Sequence, residues 1–412
     1  LEIPEMRTAI IGGGAAGFFA AISCKEHHSN DQVTIFEKTN KLLAKVKVSG
    51  GGRCNVTNSC FSISELSRHY PRGEKFLKKA FSQFYTKHTV EWFESKGVTL
   101  KTEPDNRMFP TTNDSQTIID CLLNESRRLG VDIQKLCSVN KLEKVGSEFH
   151  LDVNDERLIF DKVVVASGGS PKAESYEWLR QLGHQIEPPV PSLFTFNMPS
   201  EPIKSLMGVV AENASVSIQG TKFKNQGPLL ITHWGMSGPA ILKLSAFAAR
   251  ELNTRNYQFD IRVNWLGEIN ENQLRDKINL EFNDFRKRKI SNKNPFQVPS
   301  RLWSFLLNKV EISEDQVWDS LPKKKLNQLI NVLLNDTYAV SGKTTFKEEF
   351  VTCGGISLSD VDVKTMESKV CNGLHFAGEV MDIDGVTGGF NFQAAWTTGF
   401  VAGKGCGDNT ID

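Results

Sequence analysis

Residues 7–28, RTAIIGGGAAGFFAAISCKEHH, read as a buried strand, a tight glycine turn and an apolar helix. No other stretch constrains the fold as much. Gly12, Gly14 and Gly17 stand in GxGxxG spacing. Gly12 permits the turn, Gly14 lets the backbone approach a pyrophosphate, and Gly17 lets the helix pack closely on the strand. Ala15 and Ala16 then open the helix, whose N-terminus carries unpaired N–H groups and roughly half a positive charge. A second strand, QVTIFEK, ends in Glu37-Lys38. Glu37 lies twenty residues beyond Gly17, where a carboxylate accepts ribose hydroxyls. A 2′-phosphate would meet like charge there, so the loop favours FAD or NAD over NADP.

Two later segments decide between these. Residues 162–170, KVVVASGGS, form a β-branched strand ending in Ala166, Ser167 and Gly168. The turn resembles the Ala-Thr-Gly-Gly turn of flavoproteins with the two-dinucleotide-binding architecture. Residues 372–403, NGLHFAGEVMDIDGVTGGFNFQAAWTTGFVAG, read as strand, Gly378-Glu379, loop, Gly388-Gly389, then helix. That order resembles the second FAD motif of the same class, whose last helix points its positive end at the flavin pyrimidine. The cofactor expected is FAD. No second GxGxxG follows a strand, opens a helix and is answered by an acid, so NAD(P)H is expected at most as a diffusible reductant. The Asp382-Ile383-Asp384-Gly385 run has its glycine too early for a calcium loop, and no cysteine pair has zinc spacing, so no metal is expected.

Thirty-eight residues after the first triple glycine comes another, in SGGGRCNVTN at 49–58. Together with LITHWGMSGPAIL (230–242), FVTCGGISL (350–358), KTMESK (364–369) and HFAGEVMDIDGVTGGFNFQ, it resembles the BaiN/YhiN-like family of bacterial flavoproteins, which includes aminoacetone oxidase. The resemblance covers nearly the whole chain. It implies an α/β fold: a Rossmann-like FAD-binding domain built from both chain ends, an inserted small β-barrel-like domain and a nested helical domain. The expected bounds are 1–190 and 351–412 for the FAD domain, 191–270 and 336–350 for the β-rich insert, and 271–335 for the helical insert. Short alternating strands from Pro188 onward, a helix opening at Ser237-Gly238-Pro239, helical periodicity over 271–335 and strand character returning near 345 agree with that layout.

By the same resemblance Lys45 is a basic position ahead of the glycine segment. Ser49, Gly50, Gly51, Arg53, Cys54, Asn55, Thr57 and Asn58 run along the cofactor, the glycines removing side chains where backbone lies close to a flat ring. Val139 belongs to the strand whose backbone meets the adenine. Gly378, Glu379, Gly388, Gly389, Phe390 and Asn391 close over the flavin end. Cys54 has Arg53 beside it, but no partner at CxxC spacing, and reads as a small residue in a tight place. After Gly169 the family carries a longer glycine-rich stretch, whereas this chain continues SPKAESYEWLRQLGH.

Flavins carry redox chemistry themselves, so no dedicated acid or base is required. His233 and Trp234, at a strand end before Ser-Gly-Pro, are the candidates for the substrate face. The reading is an FAD-dependent oxidoreductase acting on a small molecule, with O2 or NAD(P)H as redox partner. Oxidation of an amine or amino ketone of the aminoacetone type is one version, and NAD(P)H-dependent reduction of an enone is the other. An RNA-modifying or a non-catalytic FAD-binding protein stands as the alternative of another class. With 49 basic and 48 acidic residues the net charge is +1, which gives no long-range pull toward nucleic acid or anionic lipid. Neither nucleic acid nor membrane is expected as a partner. The eight cysteines read as free thiols, and the N-terminal segment, which runs straight into a strand, reads as no signal peptide, giving a cytoplasmic expectation.

Overall fold

The computed structural model describes residues 5–344 and 351–407. The chain divides into two compact units, Leu1–Ser192 with Lys347–Asp412, and Leu193–Phe346. Of the strand expected near 345, Lys343–Thr344 is described and 345–350 lie outside the described residues.

In the first unit the opening strand, Arg7–Ile11, is the centre of a five-stranded sheet. Its order is Leu374–Phe376, Lys162–Val165, Arg7–Ile11, Gln32–Glu37, Asp132–Lys135. Every pairing is parallel. Such strands are covered on both faces and therefore read as continuous apolar runs. Ala9, Ile10, Val163, Val164 and Val165 accordingly have no solvent exposure. The outermost strand, Leu374–Phe376, comes from the C-terminal part of the chain, so the sheet is assembled from both ends of the sequence.

Two helices pack on each other beside this sheet, Ala15–His27 after the glycine turn and Phe390–Gly405 near the C-terminus. Glycines on the second make the approach close. A Cβ at Gly399 would lie 2.7 Å from the Ala16 carbonyl oxygen, and one at Gly403 2.2 Å from that of Ala20. The contacts step forward together along both helices, and Ser23 Oγ donates to the Phe400 carbonyl at 2.7 Å. The helices therefore run parallel. Residues Ala16 to Cys24 are buried without interruption, which explains why this helix is apolar all round.

Among the described residues, three smaller sheets complete the unit. The antiparallel meander Val139–Val145, Glu148–Val153, Glu156–Phe160 sets Phe160 edge-on to Phe36, with ring centroids 5.7 Å apart. Thr57–Asn58, Arg107–Pro110 and Leu100–Thr102 form a second. Ile186–Ser192 and Val351–Ile356 pair antiparallel where the chain leaves and re-enters the unit.

The second unit is built on a seven-stranded antiparallel sheet. Its two outermost strands, Asp336–Ser341 and Lys343–Thr344, are one stretch of chain interrupted only at Gly342, whose φ is +100°. Through this stretch the sheet closes on itself, the arrangement of a small barrel. The helix Pro239–Thr254 starts where expected. Gly238, at φ +89°, must be glycine, because a Cβ would sit 2.8 Å from the Pro228 carbonyl oxygen. Helices Glu271–Phe285, Ser300–Lys309 and Lys323–Leu334 follow. Their Leu274, Trp303 and Leu329 join Val216, Ile261 and Val263 of the sheet in one continuous apolar cluster, so helices and barrel share a single core. No helix among the described residues is long and apolar enough to cross a membrane.

Candidate functional site

The glycine turn has the geometry its spacing requires. Gly12 adopts φ +119°, and a Cβ there would lie 2.4 Å from the Ala166 carbonyl oxygen. At Gly17 a Cβ would lie 1.9 Å from the Gly12 carbonyl oxygen. Gly14 differs from both: it is the N-cap of the following helix, no side chain caps it, and a Cβ there would meet nothing within 4 Å. The loop is packed tightly on its inner side and opens at Gly14, with Ala15 and Ala16 beginning the helix. Glu37 flanks the opening. Its carboxylate accepts the N–H of Gly13 at 2.9 Å and that of Thr39 at 2.8 Å. Lys38 beside it is exposed. The N–H groups of Leu136 and Cys137 bond the carbonyls of Thr39 and Glu37, which brings the chain leading into Val139 alongside. Ala166 N–H bonds the Ile11 carbonyl at 2.9 Å, and Ser167 and Gly168 (φ +76°) continue from there. An uncapped helix N-terminus with open backbone and a carboxylate beyond it fits a dinucleotide pyrophosphate and ribose.

At the second triple glycine the reason for glycine is conformational. The helical segment Ala44–Gly52 breaks at Ser49, and Gly50, Gly51 and Gly52 follow at φ +58°, +69° and +84°. Three successive left-handed residues are accessible only to glycine at little cost. Gly50 is also crowded, since a Cβ would come 2.8 Å from the Phe109 ring, whereas Gly51 and Gly52 face open space. Arg53 lies over the Phe109 ring at 4.0 Å and donates to Glu103 at 2.6 Å. Cys54 is fully buried, and burial pushes its thiol up to about 12. It is a protonated packing residue at neutral pH.

The rest of the segment is fastened to the C-terminal glycine motif. With its amide set by its neighbours, Asn55 donates to the Thr57 carbonyl at 3.0 Å and accepts the Gly389 N–H at 2.9 Å. Thr57 Oγ1 donates to Gln393 Oε1 at 2.6 Å, and Asn58 Nδ2 donates to the Gly388 carbonyl at 3.1 Å. A Cβ on Gly389 would lie 2.5 Å from the Thr57 carbonyl carbon. Lys45 pairs with Glu379 at 2.5 Å. The side-chain bonds of Arg53, Asn55 and Thr57 thus run to protein groups and hold the wall of the site together.

In the C-terminal segment the Gly378 N–H bonds Thr398 Oγ1 at 2.9 Å, and a Cβ on Gly378 would reach Ala16 at 2.9 Å. Asn391 exchanges two bonds with the Gly385 backbone, at 2.8 and 3.0 Å, and closes the loop before the last helix. Gly389 caps that helix at φ +90° without a side-chain partner. Phe390 is stacked on His69, with centroids 4.1 Å apart, and its carbonyl accepts the buried Tyr70 hydroxyl at 2.7 Å. The two aspartates of the DID run turn to different partners. Asp382 accepts the Gly354 N–H at 2.8 Å, and Asp384 takes a two-pronged bond from Arg72 and the hydroxyl of Ser192 at 2.7 Å. After Gly169 the short loop folds on itself, the Tyr176 hydroxyl accepting the Ser170 N–H at 2.9 Å.

All the cofactor candidates lie in the first unit. His233 and Trp234 lie in the second, in the turn between Lys224–Ile231 and Gly235–Ser237, with their rings 4.1 Å apart. His69, Tyr70, Arg72 and Gln393 escaped the sequence reading. Gln393 stands in the quoted NFQ run and was legible there as a polar residue in an apolar helix, but nothing local marks the other three.

Relatives match along nearly the full length. A 3-dehydro-bile acid delta(4,6)-reductase of Clostridium scindens is 27% identical over 406 residues, 97% of this chain and 98% of that one. A ribosomal RNA dihydrouridine synthase of Escherichia coli K12 is 28% identical over 404 residues, 96% of each. Among solved structures, a 3-ketosteroid delta1-dehydrogenase from Sterolibacterium denitrificans superposes with a TM-score of 0.51 at 12% identity, covering 96% of this chain and 98% of that one, and so shares the fold. The family described as HI0933-like protein Rossmann domain matches residues 6–405, and the chain belongs to it.

Proposed function

We propose that the protein is an FAD-dependent oxidoreductase that reduces a carbon–carbon double bond conjugated to a carbonyl group. The observation that carries the cofactor reading is the pair of parallel helices. Ala16 lies opposite Gly399, yet the second helix begins at Phe390, so its N-terminus projects beyond the first by eight residues, about 12 Å at 1.5 Å per residue. Two uncapped, positively polarised helix ends therefore face the same way, one ahead of the other. FAD carries two places that need positive charge, the pyrophosphate and the reduced pyrimidine, separated by a ribityl chain of comparable reach. Gly14 to Ala16 would hold the first, Glu37 the ribose, and the helix turn that opens at Phe390 the second.

A bound flavin supplies the two-electron transfer itself. The chain's residues orient and enclose it. The Thr57–Gln393 and Asn58–Gly388 bonds keep the last helix aimed, and the Lys45–Glu379 pair closes the ribityl side. The reaction class rests on the relatives. A delta(4,6)-reductase and a dihydrouridine synthase act on different molecules, but each saturates a double bond conjugated to a carbonyl. Hydride addition to the carbon β to the carbonyl and protonation at the α carbon is the step they have in common.

The test is anaerobic. Flavin bound to the purified protein is photoreduced, then mixed with a cyclic enone, with uridine-containing ribosomal RNA, or with buffer. Reoxidation by the enone or by uridine, with the saturated product found by mass spectrometry, supports the reading and identifies the substrate. Reoxidation by O2 alone, with peroxide formed from aminoacetone under air, establishes the amino-ketone oxidase instead.

A further inference from the structure

The strand Val351–Ile356 is buried along its whole length and carries the VTCGGI segment, to which the reading above gives no role. Thr352 in that strand is 1% exposed, and its hydroxyl has no hydrogen-bond partner among the described residues. A buried hydroxyl without a partner is disfavoured, and native proteins keep few of them. Its position is specific. A Cβ on Gly169 would come 3.3 Å from Thr352 Cβ and 3.4 Å from the Glu379 carbonyl oxygen. Thr352 therefore stands where the Ser167–Gly169 turn meets the Gly378-Glu379 segment, between two stretches assigned to the cofactor on separate grounds.

The strand cannot withdraw from this position. Gly355 is so close to the same segment that a Cβ would lie 2.3 Å from the Val380 carbonyl oxygen. The neighbouring Gly354 N–H is fixed by Asp382 at 2.8 Å. The hydroxyl is thus held at a set place by backbone packing and left with its donor and acceptor capacity unused.

We infer that Thr352 is a cofactor-positioning residue whose hydroxyl hydrogen-bonds a polar atom of the bound flavin. The inference rests on the FAD reading and adds to it a residue from the strand by which the chain returns to the first unit. Thr352→Val keeps the shape and removes the hydroxyl, and Thr352→Ser keeps the hydroxyl. FAD affinity of the apoprotein, the absorption spectrum and midpoint potential of the bound flavin, and the melting temperature of the apoprotein are measured for each.

The expected result is about tenfold weaker FAD binding in Thr352→Val, the equivalent of one hydrogen bond, without a lower apoprotein melting temperature. Thr352→Ser returns to within about threefold of wild type. A shift in spectrum or potential places the partner on the flavin ring, and a change in affinity alone places it on the ribityl chain. Wild-type affinity, spectrum and potential in Thr352→Val overturn the inference while the FAD reading stands. A wild-type apoprotein that takes up no FAD overturns both. If Thr352→Val does not fold, Thr352→Ala is read by the same measurements and the same criteria.

Discussion

Thr57 and Gln393 are 336 residues apart in sequence and joined by a 2.6 Å hydrogen bond, both side chains fully buried. Gln393 Oε1 also accepts from Thr89 at 3.0 Å, and its amide donates to Thr397 at 3.1 Å. One glutamine thus holds the SGGGRCNVTN segment, a neighbouring helix and the last helix in a single satisfied network. Replacing it by leucine strands the Thr57 and Thr89 hydroxyls together. Gln393→Leu is expected to cost about 2–5 kcal/mol in denaturant unfolding, against about 1–2 for Thr57→Val. Equal, small losses in both variants would show that the network does not hold these elements.

Gly14 and Gly17 separate cofactor space from protein space. Gly14 has extended backbone angles and open room for a Cβ, so Gly14→Ala should lower apoprotein stability by less than about 1 kcal/mol while weakening FAD binding. Gly17→Ala drives a methyl into the Gly12 carbonyl and should cost about 3 kcal/mol or more with or without cofactor. Thermal melts with and without added FAD distinguish the two patterns.

Glu37 holds the glycine turn through the Gly13 N–H and faces the expected ribose. Glu37→Arg is expected to leave the purified protein largely free of flavin, read as the ratio of flavin to protein absorbance. Unchanged occupancy would remove Glu37 from the site.

Cys54 should be chemically silent. With its thiol pushed up to about 12 by burial, it stays protonated and inaccessible at pH 8. Brief treatment of native protein with iodoacetamide is expected to spare Cys54 in peptide mass spectra, and Cys54→Ala should keep its flavin. Rapid labelling of Cys54 would restore it as a candidate nucleophile.

Acid stability should fall in two adjoining steps. Burial lowers the His375 imidazole from 6.5 to about 4. Between those values the unfolded chain takes up a proton that the folded chain refuses, so stability falls as pH drops from 6.5 to 4, by about 3 kcal/mol. Glu125 is lowered from 4.5 to about 2 by Arg128, with Lys96 assisting. Its contribution is present above about 4.5 and lost toward pH 2; with Arg128 exposed, it is on the order of 2 kcal/mol. In denaturation curves across pH, His375→Leu should flatten the upper step and Glu125→Gln the lower.

The Rossmann sheet was legible because its signals are local. A strand, a glycine turn and an apolar helix announce themselves within twenty residues, and the Val163–Val165 run marks a strand covered on both faces. Barrel closure was not local, since the turn at Gly342 closes the sheet only when its two flanking strands are known to lie at opposite edges. At the second triple glycine the composition was legible, but the left-handed backbone of Gly50, Gly51 and Gly52 was not. Arg72 gave no signal, because its partner Asp384 is 312 residues away. A comparably long separation hides His69 behind Phe390.

The Rossmann sheet takes its outer strand from Leu374–Phe376, and the last helix packs on the first. That arrangement has a consequence for biosynthesis. A chain emerging N-terminus first can pair Arg7–Ile11 with Gln32–Glu37 early, and Thr57–Asn58 with Arg107–Pro110 soon after, but Asn55, Thr57 and Asn58 lack their C-terminal partners until Gly388, Gly389 and Gln393 have been made. At roughly 5–20 residues per second, the first helix waits tens of seconds for its partner with its apolar surface uncovered. The glycine loop is therefore among the first parts of this protein to be synthesised and among the last to be completed.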